Sequence, residues 1–406
     1  MKRSTDRIIV SHAGTLPLSP ELRELRLAGP DKEKEFAAAL PAAVKEAVRL
    51  QMEVGIDCLN DGELGKRDGF SGYPRARLSG IEVRSFAPGE GPAPRDVQGR
   101  DRRDFPGFAA AGFPAGMTEA ARGRAVGANE SPAGGGAFAG PTGRRQMVFC
   151  TGPIKYIGQA HYQEDIRNLK AAVQGLDVEA YLPAVAPGTM EHWLRNEYYK
   201  DDEELLFAVA DAMKEEYKAI VDAGFVLQID DPDLPDGFQM YPDWTVAEYR
   251  TYAWKRVEAL NHALQGLPED RVRFHTCWGS QHGPHMADIE LKDIVDMVLA
   301  VKAECISIEA ANPRHDHDWK LWEDVKLPDG RTIMPGVISH VSNTIEHPEL
   351  VAQRLENYAK IVGRERVIAG TDCGMGSRVG HGEVAWAKFR SMSEGARIAT
   401  QRLWKK

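Results

Sequence analysis

Cysteine is scarce in this chain: five residues in 406, at positions 58, 150, 277, 305 and 373. An odd, scattered set does not suit a disulfide framework. The thiols are expected to be reduced, in a cytoplasm, and free to take a metal. Positive charge is also short. The 51 Lys and Arg against 60 Asp and Glu leave a net charge of −9, which argues against the basic face that nucleic acid requires. No run approaches the roughly eighteen apolar residues of a membrane span, so no membrane partner is expected. The opening Met1-Lys2-Arg3-Ser4-Thr5-Asp6-Arg7 leads into a three-residue apolar run, too little for a secretory leader. There is no internal repeat and no second domain, so residues 1–406 are expected to form one unit, alone or as a homo-oligomer.

What is present is an alternation of helix-period and short apolar runs. Strand-like runs lie at Ile8–Val10, Ile56–Leu59, Phe225–Ile229, Val272–Phe274, Cys305–Ile308 and Val367–Ala369. Helical patterns lie between them, at 32–55, 203–223, 246–264, 291–302 and 348–362. Such alternation means parallel βα units. Polar residues recur after many separate strands, which favours a closed (β/α)8 TIM barrel over a doubly wound sheet with one switch point. One segment breaks the pattern: 88–145 is rich in Gly, Pro, Ala and Arg and keeps neither period. It reads as an insertion, either a lid or plain surface loop.

The strand ends carry the chemistry. His275 and Cys277 follow one strand, Glu309 the next, and Cys373 lies just past the last. An imidazole, two thiolates and a carboxylate suit zinc. Zinc removes the proton of a thiol whose ordinary pKa is ~8.5, making the sulfur a ready nucleophile. A closed zinc site that only staples the barrel is the competing reading. Ligands spread over three strand ends weigh against it. His340 follows the apolar Val337-Ile338 run, and an imidazole there suits proton donation. Glu63, Asp230 and Asp231 end other apolar runs and could hold an ammonium. Helix capping is the plainer role for Asp230 or Asp231. Two further loops, Ser280 to His285 and Asn312 to His317, bring more histidine to the same end, with Arg314 as a candidate clamp on an anionic partner.

The His-x-Cys pair, the isolated Glu and the distant Asp372-Cys373-Gly374 resemble the zinc site of the cobalamin-independent methionine synthases. The likeness is to their C-terminal catalytic barrel and to shorter stand-alone members, and it covers most of the chain outside 88–145. Further stretches match in order: His12-Ala13-Gly14-Thr15-Leu16-Pro17, Asn60-Asp61-Gly62-Glu63, Gly152-Pro153, Gln228 to Pro232, and Pro335-Gly336-Val337 followed by His340. The resemblance implies zinc on His275, Cys277, Glu309 and Cys373, with Glu63 and Asp230 on the amino group of an amino-acid thiol. It places Thr15 near that thiol's carboxylate and makes His340 the proton donor. The chain also departs from the family. It lacks room for the second, N-terminal barrel of the full-length enzymes. Ile154 to Gln159 runs where the family has a folate-stacking tryptophan, and Asp231-Pro232 stands for its Glu-Pro.

The expected function is zinc-dependent transfer of a methyl or other alkyl group to a thiol, with homocysteine as the first-choice acceptor and the donor open. Two alternatives stand beside it. One is an epoxide-opening thiol transferase or related C–S lyase on the same zinc site; the other is a non-catalytic homologue that binds zinc or an amino acid.

Overall fold

The structure, a computed structural model, describes residues 1–67, 69–87, 89–93, 95–111, 137–139, 145–376 and 378–405. Eight strands form one parallel sheet: β1 (Ile9–Val10), β2 (Cys58–Leu59), β3 (Glu179–Val185), β4 (Val226–Asp230), β5 (Val272–Thr276), β6 (Cys305–Ile308), β7 (Thr332–Ile338) and β8 (Ile368–Thr371). They pair in the order β1-β8-β7-β6-β5-β4-β3-β2. Asp57 closes the seam between β1 and β2. Its backbone N–H donates to the Val10 carbonyl at 2.8 Å, and its Oδ2 accepts from the Val10 N–H at 2.9 Å. The expected (β/α)8 barrel is the observed one.

Helices cover the outside because their apolar residues recur at three and four. In Asp202–Asp222 the buried face includes Leu205, Leu206, Val209, Met213, Tyr217 and Ile220, and Asp201 caps the start. Val246–Ala263 begins with a capping box from Thr245 and Glu248. The pattern at 291–302 is not one helix. Ile294 leaves helical geometry and splits it into a 3-10 turn, Leu291–Asp293, and a short helix, Val295–Ala300.

Inside the barrel, Ile9, Cys58, Cys305, Met334 and Ile368 form an apolar cluster. Cys58 and Cys305 thus serve as small hydrophobes. Above them lies a polar layer. The Arg273 guanidinium sits 3.8 Å from the centre of the Tyr181 ring and donates to Ser11 Oγ at 2.8 Å and the His12 carbonyl at 3.1 Å. No helix among the described residues is long and apolar enough to cross a membrane.

Most of the segment 88–145, read from sequence as an insertion or lid, lies outside the described residues. Its flanks pair as an antiparallel stalk, Ile81–Phe86 against Arg145–Cys150. Its first described turn, Gly99–Asp104, docks on the helix Asp233–Met240: Arg100 donates to the carbonyls of Phe238, Tyr241 and Trp244.

Candidate metal centre

β5 ends at Thr276, with His275 and Cys277 on either side of that residue, both buried. Cys373 lies two residues past β8. The barrel brings these three together: one ligand atom from each lies within 4.8 Å of the others. His275 is oriented by a neighbouring strand. Its Nδ1 pairs with Ser307 Oγ at 2.9 Å, on the neighbouring strand at the same register. Its Nε2 is buried and has no hydrogen-bond partner among the described residues. A partner on one ring nitrogen and none on the other is the arrangement a metal-binding histidine needs. Between the thiols, a hydrogen bond from Cys277 pushes Cys373 well below the ordinary range, and the same bond pushes Cys277 up. Ser280 donates to Cys373 Sγ at 3.4 Å. The donor set, one imidazole nitrogen and two sulfurs, fits a borderline-soft divalent ion with an open position.

Glu309 is not in that tight trio. Its Oε2 accepts from the Trp278 N–H at 2.7 Å and its Oε1 from Asn312 Nδ2 at 2.9 Å. It groups instead with His340 and Asp372, within 4.8 Å of one another and all buried. Neither His340 nitrogen has a hydrogen-bond partner among the described residues, and burial pushes its imidazole below the ordinary value. Asp372 Oδ1 takes the N–H groups of Ala310 and Ala311 at 2.8 and 2.7 Å, and burial raises its carboxyl to about 8.

The remaining expected residues sit across the mouth. Thr15 donates to Glu63 Oε1 at 3.1 Å. Glu63 holds a left-handed backbone, φ 56°, and a Cβ on Gly14 would lie 2.3 Å from Glu63 Oε1. Glycine is therefore required for the carboxylate to lie over this loop. Asp230 accepts from Gln228 Nε2 at 2.7 Å. Asp231 accepts from the Thr189 hydroxyl at 3.0 Å and from the Leu234 N–H. That bond reaches the first turn of Asp233–Met240, whose N-cap position is Pro232. Burial pushes both Asp230 and Asp231 up to about 7.

Two of the extra histidines belong to an internal network. Asp288 Oδ2 meets His285 Nδ1 at 2.8 Å and His315 Nε2 at 3.1 Å, and Asp318 meets His315 Nδ1 at 3.1 Å. The His315 ring stacks on Trp278 at 3.7 Å between centroids. Burial disfavours both imidazolium ions, but their carboxylate partners outweigh it and raise each to about 9. Both lie above the ~6.5 of an unfolded histidine. Their stabilisation is therefore full below ~6.5 and is lost as pH rises through about 9. The melting temperature is expected to fall between pH 7 and 9.5 more steeply in the parent than in Asp288→Asn. Parallel curves would show that Asp288 does not hold these protons. A cavity of about 520 Å³ opens beside this network, between the loops after β5, β6 and β7, lined among others by Gln281, His282 and Arg314.

Sequence reading missed Ser307, Asp372 and Lys66. Ser307 is a hydroxyl within the apolar run Cys305–Ile308, and Asp372 directly precedes a named ligand; both are signals of position. Lys66 follows Glu63 at the three-residue spacing of a side-chain ion pair.

Over residues 171–398 the chain matches the family model described as "Cobalamin-independent synthase, Catalytic domain". A methionine synthase of Thermococcus kodakarensis is 26% identical over 274 residues, 62% of this chain and 71% of that protein. A methionine synthase of Saccharolobus islandicus is 26% identical over 243 residues, 59% of this chain. The match spans 60% of the Saccharolobus protein's length. Among solved structures, a B12-independent methionine synthase from Shewanella sp. W3-18-1 in complex with selenomethionine shares the fold at TM-score 0.69 and 21% identity, covering 98% of this chain and 99% of that one. A putative vitamin-B12-independent methionine synthase from Listeria monocytogenes does so at TM-score 0.61 and 17% identity, covering 98% of this chain and 100% of its own.

Proposed function

The chain belongs to the cobalamin-independent synthase catalytic-domain family, and on that premise we propose that it is a zinc enzyme that methylates the thiol of homocysteine to give methionine. The observation that carries the reading is the His275–Cys277–Cys373 trio at the C-terminal mouth of the barrel, two members buried and Cys373 half-buried. Zinc, when bound, supplies the Lewis acidity that keeps an acceptor thiol deprotonated near neutrality. His275, Cys277 and Cys373 would hold it. Glu309, whose carboxylate accepts from the Trp278 N–H and Asn312, would be the candidate fourth ligand.

The rest of the work falls to the chain. Glu63 and Asp230 orient the acceptor through its ammonium, and Thr15 lies on the same side, bonded to Glu63. The acceptor sulfur attacks the donor methyl carbon, the bond from that carbon to its carrier breaks, and the carrier atom takes a proton from His340. The donor enters by the cavity at Gln281, His282 and Arg314. Its size is that of a small-molecule site. We place the protein in the cytoplasm, where the five thiols, unbridged in the structure, stay reduced.

The test is the number of sulfur neighbours of bound zinc, read by X-ray absorption. Two are expected at rest and three with homocysteine. A count that stays at two would overturn homocysteine as acceptor, and a protein that binds no zinc would overturn the mechanism.

A further inference from the structure

Glu63 and Asp230 are the carboxylates given above to the acceptor's ammonium. An ammonium from the protein itself already stands there. Lys66 Nζ lies 2.9 Å from Glu63 Oε2 and 2.7 Å from the carbonyl oxygen of Pro183 on β3. The two side chains are only 9% and 10% exposed. Glu63's other oxygen is engaged by Thr15. Burial works against the Lys66 charge, but Glu63, Asp230 and Asp61 together more than compensate and raise it above its ordinary value. Lys66 is thus the resident cation of a three-carboxylate pocket. A buried carboxylate that loses its cation is costly, so an ammonium at Glu63 is favoured.

We propose that Lys66 sets the acceptor specificity of this site: the ammonium of an amino-acid thiol binds by displacing Lys66 Nζ from Glu63 Oε2. This rests on the reading of Glu63 and Asp230 as the acceptor's amino-group partners. The exchange replaces one ammonium–carboxylate contact by another. The net gain from an acceptor's amino group is therefore small in the parent protein, and thiols that lack an amino group compete well. Removing the resident cation leaves Glu63 buried without its lysine partner, and an incoming ammonium then recovers the whole interaction. Lys66 acts through Glu63 and is a positioning residue, with no part in the alkyl transfer itself.

The experiment compares L-homocysteine with 4-mercaptobutyrate, the same thiol without its amino group. Calorimetric titration of the zinc-loaded protein gives Kd for each. Lys66→Gln keeps a hydrogen-bond donor for Glu63 and the Pro183 carbonyl, and Lys66→Met is its apolar counterpart. Both are expected to bind homocysteine at least tenfold more tightly than the parent and 4-mercaptobutyrate with unchanged Kd. Lys66→Arg, which keeps the charge, is expected to retain the parental ratio. If homocysteine bound only to the neutral variants, the acceptor assignment would fail for the parent while the role of Lys66 stood. Weaker homocysteine binding in Lys66→Gln, equal shifts for both thiols, or no homocysteine binding by any variant would overturn the proposal.

Discussion

Cys373→Ser is expected to lose zinc and to lower methyl transfer by more than ~100-fold, while the barrel stays folded. The magnitude follows from the ligand's place. Loss of a group that merely orients a ligand typically costs ~10–100-fold in metal affinity or activity. Loss of one of two thiolates, from a set that has only one imidazole beside them, must exceed that. Stability behaves differently. Cys373 is half-buried in the loop after β8 and outside the barrel's apolar clusters. A serine of similar volume removes little packing, and the metal-free melting temperature is expected to match that of the metal-free parent. Ser307→Ala serves as the calibrated control. It frees His275 Nδ1 from its 2.9 Å partner without removing a ligand, so its zinc affinity is expected to fall within the ~10–100-fold range. Zinc per chain by mass spectrometry, beside a thermal melt, separates the cases. Stoichiometric zinc in Cys373→Ser would remove that residue from the ligand set.

The proposed ligands were legible because each lies at or just after the end of a strand that the sequence shows plainly. Val272–Thr276, Cys305–Ile308 and Ile368–Thr371 contain no proline, and β-branched or aromatic residues dominate them. Of the barrel strands, Glu179–Val185 went unread and Thr332–Ile338 was seen only at its Val337-Ile338 end, and each carries a proline within it, Pro183 and Pro335. Proline removes a ladder donor and argues against a central strand. Here Pro183 finds a second use, since its carbonyl holds Lys66, and the pairing of β7 with β8 shifts register between Gly336 and Ile338, just after Pro335. The C-terminal helix Gly382–Leu403 was hidden for another reason. Its buried face is largely Ala385, Ser391, Gly395, Ala396 and Ala399, with Phe389 and Met392, so the apolar stripe is thin. The site itself was only half visible. Residue types named the candidate ligands, but spacing along the chain could not show that Glu309 groups with His340 and Asp372. Nor could it show that His285 and His315 are spent on Asp288. Both are consequences of how loops from neighbouring strands fold over one another, which local pattern does not encode.

His340→Leu is expected to lower turnover by ~10²–10⁴-fold, the usual worth of a positioned acid or base, and to hold or raise the melting temperature. The two effects have one cause. His340 is fully buried, and neither ring nitrogen has a hydrogen-bond partner among the described residues. A buried polar group without a partner costs ~1–3 kcal/mol, and an apolar side chain of similar size removes that cost. A histidine kept for structure would show the opposite signs: lower stability on replacement and little change in rate. Zinc content and the Kd for homocysteine are expected to stay at parental values, because the imidazole groups with Glu309 and Asp372 and stands outside the His275–Cys277–Cys373 trio. The loss should therefore appear in kcat with KM nearly unchanged, the mark of an interaction made only in the transition state. Full turnover in His340→Leu would mean that the departing group takes its proton from elsewhere. A lowered melting temperature together with lost zinc would mean that the imidazole supports the ligand shell, and His340 would then leave the list of catalytic residues.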